Sequence, residues 1–234
     1  MDNFDVYRDI EARTGGEIYI VAIVGRPNVG KSTFIKRFME LLVLPAMEDE
    51  NLRTISRDEL PQSAAGKTIM TTEPKFIPKE AAKITLEDGI QAKVRLIDCV
   101  GFMVDGAAGH VENGEERLVK TPWFDHEIPF TQAAELGTRK VIGDHSTIGI
   151  VVTTDGSIGD IKRPGYIGAE RQTVDELKAL GKPFIILLNS LKPYSEETVR
   201  LAKEMGEEYG VSVLPVNCEQ LKKEDIFHIL ERVL

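Results

Sequence analysis

Apolar residues along the chain are concentrated in short runs with few polar residues between them. Such runs are typical of strands that are covered on both faces, as in a parallel sheet. The runs lie at Ile18–Val24, Val94–Val100, Ile148–Val152, Phe184–Leu188 and Ser212–Val216. They predict a central sheet whose strands are mostly parallel.

The segments between these runs carry apolar residues at the three- and four-residue spacing of amphipathic helices. The clearest examples are Phe34 to Leu42, Val174 to Leu180 and Ile226 to Val233. Because strands and helices alternate, the fold class is predicted to be α/β, with helices on both faces of the sheet. Asp88-Gly89 between alternating apolar residues is a hairpin signal, and it predicts one antiparallel edge strand.

The domain organisation follows from the remaining segments. The stretches at about 44–83 and 101–131 are longer than loops in compact domains usually are, so we expect them to be functional insertions. Residues 1–16 are predicted to form a short helix packed on the outside of the domain. Residues 17–234 are then expected to form a single domain.

The composition and the net charge of the chain argue against several classes of function. The chain has 234 residues, with 29 Lys and Arg against 38 Asp and Glu, and its net charge of −9 argues against broad electrostatic capture of nucleic acid or anionic lipid. No apolar run approaches the roughly 18 residues of a membrane span, and the first residues lack the pattern of a signal segment. A cytoplasmic location is therefore expected. Cys99 and Cys218 do not suffice for a disulfide framework or a zinc site.

The strongest chemical signal follows the first predicted strand and matches the phosphate-binding pattern G-x-x-x-x-G-K-[ST]. It reads Gly25, Arg26, Pro27, Asn28, Val29, Gly30, Lys31 and Ser32, with Thr33 next. Glycines let the backbone N–H groups point at phosphate oxygens, and the following helix adds its positive end. Lys31 is expected to reach the β and γ phosphates, and the Ser32 hydroxyl to bind Mg²⁺. The pattern predicts a nucleoside triphosphate and Mg²⁺ as ligands.

A second phosphate-side motif ends the predicted strand Val94–Val100. Asp98 and Gly101 form the pattern Asp-x-x-Gly. The Asp98 carboxylate is expected to hold Mg²⁺ through water, and the Gly101 N–H to meet the γ phosphate.

A threonine pair lies between the two motifs. Thr71 and Thr72 have the order and distance of the switch threonine that closes over Mg²⁺ and the γ phosphate. Thr72 is assigned to the metal, with Thr71 as the alternative. With Lys31 and Asp98 they make up the predicted catalytic set. Phe102 stands where many switch GTPases carry a Gln that orients the attacking water. An apolar side chain cannot do that, so slow hydrolysis is expected.

The residues that follow the run Phe184–Leu188 indicate which nucleobase the site selects. In guanine-specific relatives this strand ends in Asn-Lys-x-Asp, whose Asp accepts hydrogen bonds from guanine. Here the same place reads Asn189, Ser190, Leu191 and Lys192. Asn189, Ser190 and Lys192 are expected to bind the nucleotide. An ammonium only donates, so guanine specificity is expected to be lost unless Glu196 or Glu197 replaces the missing carboxylate.

The segment Asp155–Asp160 follows the run Ile148–Val152 and has an acidic residue at each end. Spaced acidic residues here resemble part of a calcium loop, but the remaining ligands of such a loop are missing. The segment is therefore predicted to be a strand-end turn near the nucleotide.

Several longer blocks resemble the stage IV sporulation protein A family. They are Thr14–Gly16, Asp58–Phe76, Thr121–Trp123, Glu135–Ile142, Asp144–Gly149 and Thr153–Ile161. The resemblance covers nearly the whole chain, and the block from Glu59 to Phe76 is far more specific than the phosphate-binding pattern. It implies a P-loop fold of the translation-factor-related GTPase type, in an amino-terminal nucleotidase domain that family members extend with further domains.

The resemblance also implies a function, because the family is a spore-coat morphogenetic ATPase that polymerises on the forespore surface. We expect slow, Mg-dependent ATP hydrolysis that drives self-assembly of the coat basement layer. The implied location is the mother-cell cytoplasm, peripheral on the forespore outer membrane. The implied partners are other copies of the chain and, through C-terminal regions, a small amphipathic membrane peptide and other coat proteins. No nucleic-acid partner is expected.

Two alternatives stay open. The loop filling from Arg26 to Val29 is typical of Era-like GTPases that act in ribosome assembly. Lys192 and the lack of an appended basic RNA-binding domain argue against that reading. A scaffold that binds nucleotide without hydrolysing it is the second alternative, and Phe102 favours it.

Overall fold

The computed structural model describes residues 17–23, 29–61, 75–85, 91–98, 111–112, 115–159 and 161–233. The predicted helix within 1–16 and the hairpin turn at Asp88-Gly89 lie outside these residues. Both therefore stay predictions.

The strands form one large sheet and two small antiparallel ladders. In chain order they are β1 (Glu17–Ile23), β2 (Lys75–Thr85), β3 (Gln91–Asp98), β4 (Val111–Glu112), β5 (Glu115–Glu116), β6 (Leu118–Val119), β7 (Ile128–Pro129), β8 (Ile148–Thr154), β9 (Phe184–Asn189) and β10 (Val213–Val216). The large sheet has the order β10-β9-β8-β1-β3-β2. Its neighbouring strands are parallel except for β2, which pairs antiparallel with β3 at the edge. The predicted mixed, mostly parallel sheet is confirmed.

The helices connect the strands on both sides. They are α1 (Lys31–Phe38), α2 (Leu44–Ala46), α3 (Glu50–Asp58), α4 (Phe130–Lys140), α5 (Pro164–Ala179), α6 (Glu196–Tyr209) and α7 (Lys223–Val233). Five-residue π-helical segments, Met39–Val43 and Val141–His145, continue α1 and α4. Among the described residues, none of the helices combines the length and the apolar character that crossing a membrane requires.

The core lies on both faces of the sheet because side chains alternate along each strand. On β8, Ile150 belongs to the same buried cluster as Phe34 of α1 and Ile226 of α7. Its neighbour Val151 belongs to the opposite cluster, which includes Leu177 of α5. Each fully buried side chain of this size contributes about 1.5–3 kcal/mol to folding. The two clusters fix the helices against the sheet and so position the loops at its carboxyl edge.

The first predicted insertion contains regular structure. Helix α3 lies within it, and β2 begins at Lys75, well before the alternating apolar residues that flank the hairpin signal at Asp88-Gly89. The strand was hard to read because its register shifts between Ile77 and Ala82, which breaks the alternation of apolar and polar residues. In the second insertion, the described residues form the two small ladders β4-β5 and β6-β7.

Candidate nucleotide-binding site

The site begins where β1 leads into α1, in the middle of the sheet. Strand β1 lies between β3 and β8, and the chain leaves it toward the β3 side before returning to the β8 side. Ligands of open α/β sheets bind at such a switch point, outside the carboxyl ends of the strands. The phosphate-binding pattern therefore lies at the place in the fold that its chemistry requires.

Gly30 fixes the start of α1. Its φ is +99°, and a Cβ added there would lie 2.1 Å from Nδ2 of Asn189, so both conformation and space require glycine. The Gly30 carbonyl accepts the N–H of Phe34 at 2.8 Å, and Phe34 is fully buried. Helix α1 is thereby held with its N-terminus, and with it Lys31, at the carboxyl edge of the sheet.

Lys31 and Asp98 come together across the two motifs. The Lys31 Nζ lies 2.8 Å from Oδ1 of Asp98, with 12% and 19% of the two side chains exposed. The parallel pairing of β1 with β3, in which Ala22 lies opposite Asp98, sets this proximity. Ser32 and Thr33 follow in the first turn of α1, both half-buried. The predicted phosphate-side cation and the predicted metal-side carboxylate thus share one location.

Asn189 joins three segments of the site. Its Nδ2 donates to the carbonyl of Val29 at 2.9 Å, and its Oδ1 accepts the N–H of Cys218 at 3.0 Å. The side chain is almost fully buried. Burial, with a smaller contribution from the charge of Glu219, raises the pKa of the Cys218 thiol to about 12. The Asn189 amide at the end of β9 therefore connects Val29 to the segment after β10. The motif had predicted a contact of Asn189 with the nucleotide and not this structural role.

Ser190 lies beneath the loop that follows β9. It is fully buried, and its hydroxyl donates to Oδ2 of Asp155 at 2.6 Å. The same hydroxyl accepts the N–H of Lys192 at 3.0 Å. The Lys192 side chain is exposed. Of the residues predicted to bind the nucleotide near its base, Lys192 therefore lies at the surface. Ser190 is buried instead, and it holds the loop through the hydrogen bond from the N–H of Lys192.

Asp155 follows β8 and accepts hydrogen bonds with both carboxylate oxygens. Partial burial alone raises the pKa of Asp155, but hydrogen bonds from Ser157, Ser190 and Thr198 outweigh that effect and hold the pKa below its ordinary value. The carboxylate is ionised at neutral pH and acts as an acceptor for these donors. The predicted strand-end turn is the structure observed, and the turn lies against the loop after β9.

A buried ion pair that was not predicted from the sequence lies behind this turn. Both Nη atoms of Arg163 donate to Glu170, at 2.6 and 2.7 Å. Arg163 also donates to Thr153 of β8 at 3.3 Å, and the Tyr209 hydroxyl donates to Glu170 at 2.7 Å. One feature of the sequence could have indicated this ion pair. Glu170 shares the spacing of one helix face with Tyr166, Ala169 and Thr173, which places it on the buried face of α5.

Several predicted site residues lie outside the described residues. They are Gly25, Arg26, Pro27, Asn28, Thr71, Thr72, Gly101 and Phe102. Their roles stay predictions. Within the described part of the chain, no group of three or more His, Cys, Asp or Glu side chains is arranged to hold a metal ion by itself.

The family model described as "Stage IV sporulation protein A, ATPase domain" matches residues 1–234. The chain belongs to this family. Stage IV sporulation protein A of Bacillus subtilis (strain 168) is 50% identical over 234 residues, which cover 100% of this chain and 47% of that protein. The protein of the same name from Clostridioides difficile (strain 630) is 52% identical over 232 residues, covering 99% of this chain and 47% of the relative. The chain spans about half the length of these relatives.

A more distant similarity concerns the fold. GTPase HflX of Thermococcus kodakarensis is 26% identical over 229 residues, which cover 95% of this chain and 40% of that protein. Together with the sheet order, this similarity supports a P-loop fold of the translation-factor-related GTPase type. The resemblance and the fold class drawn from the sequence are both confirmed.

Proposed function

We propose that this ATPase domain binds ATP with Mg²⁺ and hydrolyses it slowly. The observation that carries the proposal is the 2.8 Å contact between Lys31 and Asp98 at the N-terminus of α1. Two motifs far apart in sequence converge there, beside a helix end that favours anions. Membership of the family with the ATPase-domain model supports the choice of reaction.

The residues on the phosphate side have distinct tasks in this mechanism. Lys31 turns its ammonium from Asp98 to the β and γ phosphates, where it offsets the charge that develops as water attacks the γ phosphorus. The backbone N–H groups at the start of α1 hold the phosphate oxygens. Gly30 allows the close approach of the backbone that this contact needs.

The donor set also fits Mg²⁺. Hydroxyl and carboxylate oxygens are the ligands that this cation prefers, and Ser32 and Asp98 supply one of each at the same end of the sheet. Thr72 is the third proposed ligand. When bound, Mg²⁺ neutralises charge on the phosphates. Thr71 and Thr72 are proposed to sense the γ phosphate.

On the base side, we propose that ATP is used at least as well as GTP. The exposed Lys192 occupies the position at which a guanine-specific protein needs a carboxylate, and an ammonium cannot accept a hydrogen bond from guanine N1–H. The Asn189 amide is engaged with Val29 and Cys218. The Asp155 carboxylate is engaged with the hydroxyls beneath the loop.

At the level of the cell, we propose that ATP hydrolysis drives self-assembly of the spore coat basement layer in the mother-cell cytoplasm, peripherally on the forespore surface. The names of the relatives, which are sporulation proteins, support this proposal. Contacts with a small amphipathic membrane peptide and with other coat proteins are assigned to the regions that the longer relatives have beyond this match. No nucleic-acid partner is proposed.

The similarity to GTPase HflX keeps a GTPase as the second candidate function. A GTPase of this type would select GTP through a carboxylate, and Glu196 and Glu197 in the first turn of α6 are the candidates nearest to Lys192 in sequence. Comparing the two nucleotides decides between the candidates.

Titration with ATP tests the phosphate side. Lys31→Ala removes a charge-assisted contact, and we expect ATP to bind about 10- to 100-fold more weakly with the fold intact. Lys36→Ala is the matched control, since Lys36 is an exposed lysine of the same helix that pairs only loosely with Glu40, at 3.9 Å. The assignment fails if Lys31→Ala binds ATP like the wild type.

Asp98→Ala separates binding from turnover. Because Asp98 is proposed to act on Mg²⁺ and the γ phosphate, we expect a large fall in kcat with a modest change in the Kd for ATP. Equal losses in binding and turnover would instead place Asp98 among the general binding groups.

A further inference from the structure

The backbone of the loop that follows β9 (Ser190–Lys192) is held in place by hydrogen bonds to two serine side chains. The N–H of Leu191 donates to the Ser157 hydroxyl at 3.0 Å, and the N–H of Lys192 donates to the Ser190 hydroxyl at 3.0 Å. Both acceptors are themselves oriented by Asp155. Ser157 donates to its Oδ1 at 2.6 Å and Ser190 to its Oδ2 at 2.6 Å.

The charge of Asp155 determines the direction of these bonds. An ionised carboxylate only accepts, so both hydroxyl hydrogens point toward Asp155 and leave the oxygen lone pairs free for the loop N–H groups. Thr198 of α6 adds a third hydroxyl to the same carboxylate, at 3.4 Å, and Ser195 caps that helix next to it. The Asp155 carboxylate therefore fixes the conformation of the loop indirectly, by orienting the hydroxyls of Ser157 and Ser190.

The loop held in this way adjoins the phosphate-binding loop. It begins directly after Asn189, whose side chain contacts the Val29 carbonyl. At its surface the loop presents the Leu191 side chain, 59% exposed, and the exposed Lys192. Leu191 and Lys192 lie two and three residues after Asn189, which contacts Val29 of the phosphate-binding pattern. An apolar group beside an ammonium at this place suits the face and the edge of a nucleobase.

We propose that Asp155 is a positioning residue for nucleobase binding: it holds the loop Ser190–Lys192 in the conformation that contacts the base. This inference rests on the proposed nucleotide-binding function. Asp155 acts through Ser157 and Ser190 and does not itself touch the ligand. Its removal weakens the contribution of the base to affinity and leaves the phosphate contacts unchanged.

The test compares a ligand with a base and a ligand without one. The Kd values of ATP and of inorganic tripolyphosphate, both with Mg²⁺, are measured for the wild type, Asp155→Ala and Ser190→Ala. We expect ATP to bind about tenfold more weakly to both variants, equivalent to about 1.4 kcal/mol, with the Kd for tripolyphosphate unchanged. Where turnover by Asp155→Ala is measured, kcat stays within about twofold of the wild type, because the reacting phosphates keep their partners.

Asp49→Ala is the matched control. Asp49 also uses its carboxylate to accept backbone N–H groups, those of Asn51 and Leu52, but it does so at the start of α3. Its loss is expected to lower the melting temperature without changing either Kd. If Asp155→Ala fails to fold, Asp155→Asn serves in its place, since the amide keeps the size but offers a donor where one hydroxyl needs an acceptor.

The outcomes separate the two proposals. A wild-type protein that binds no ATP contradicts both the proposed function and this inference. If the wild type binds ATP and Asp155→Ala binds it equally well, only the inference is wrong. A parallel loss of ATP and tripolyphosphate affinity also overturns it, because Asp155 would then support the whole site and not the base side.

Discussion

At the scale of single residues, Gly30 and Asn189 depend on each other. The positive φ of Gly30 turns the chain into α1, and the space that its missing side chain leaves is taken by the Asn189 amide. That amide then reaches the Val29 carbonyl, one residue before Gly30. The conformation of the chain at Val29 and Gly30 therefore depends on a residue that follows Val29 by 160 positions.

Gly30→Ala tests this dependence. The substituted residue must adopt a φ that L side chains avoid, at a cost on the order of 1–3 kcal/mol, and its Cβ displaces Asn189. We expect a lower free energy of unfolding in urea and loss of ATP affinity. Gly168→Ala is the control, because a Cβ there would meet no atom within 4 Å apart from its chain neighbours and the backbone of α5 itself, among the described residues. That change is expected to stabilise the protein by about 0.5–1 kcal/mol. Wild-type stability of Gly30→Ala would contradict the strained geometry.

At the scale of elements, α5, α6 and β8 meet at the buried Glu170. Arg163, just before α5, pairs with both of its oxygens, and Tyr209 at the end of α6 donates to one of them. Gly156 packs tightly here as well, since a Cβ there would lie 2.8 Å from the Arg163 backbone N. The pair therefore connects the packing of two helices to the turn that carries Asp155.

Removing one partner of this pair should be costly. Glu170→Ala leaves Arg163 largely buried without its carboxylate, and we expect a loss of about 3–5 kcal/mol in the free energy of unfolding. Arg171→Ala is the control on the same helix, because its ion pair with Glu208 is exposed and should contribute little. Urea denaturation of both variants gives the comparison. Similar small effects for the two would show that burial does not strengthen the Glu170 contacts.

The Tyr209 hydroxyl gives a pH-dependent prediction for the same cluster. Burial, followed by the hydrogen bond to Glu170 and its negative charge, raises the pKa of Tyr209 above its ordinary value of 10.0. A raised native pKa means that the contribution of the phenol to stability is complete below about pH 10 and is lost as the pH rises further. The stability difference between the wild type and Tyr209→Phe should therefore be constant up to about pH 10 and shrink above it.

Absorbance of the phenolate checks this prediction directly. At pH 11 an ordinary phenol is mostly ionised. The difference spectrum between the native wild type and Tyr209→Phe should show no phenolate signal at that pH. A full phenolate signal from Tyr209 in the native protein would remove the basis for the prediction.

At the scale of the whole molecule, the sequence was sufficient for most of the fold because the strands of the large sheet other than β2 coincide with largely apolar runs. Asp88-Gly89 indicated the antiparallel pairing of β2 with β3 but not where β2 begins. The proximity of Lys31 and Asp98 was also predictable, since their motifs follow strands whose carboxyl ends share one edge. Residue-by-residue motif comparison could not show that Ser190 is buried and bonded to Asp155. Contacts between Arg163, Glu170 and Tyr209 were equally hidden, because they depend on how α5 and α6 pack.

For the whole molecule, we propose that this domain hydrolyses ATP with no preference for GTP. Phosphate release from saturating ATP and from GTP, each with Mg²⁺, tests it in the wild type and in Lys31→Ala. We expect slow release from ATP at a rate at least equal to that from GTP, and none above background from Lys31→Ala. A preference for GTP of about tenfold or more, or no release from ATP at all, would contradict the claim.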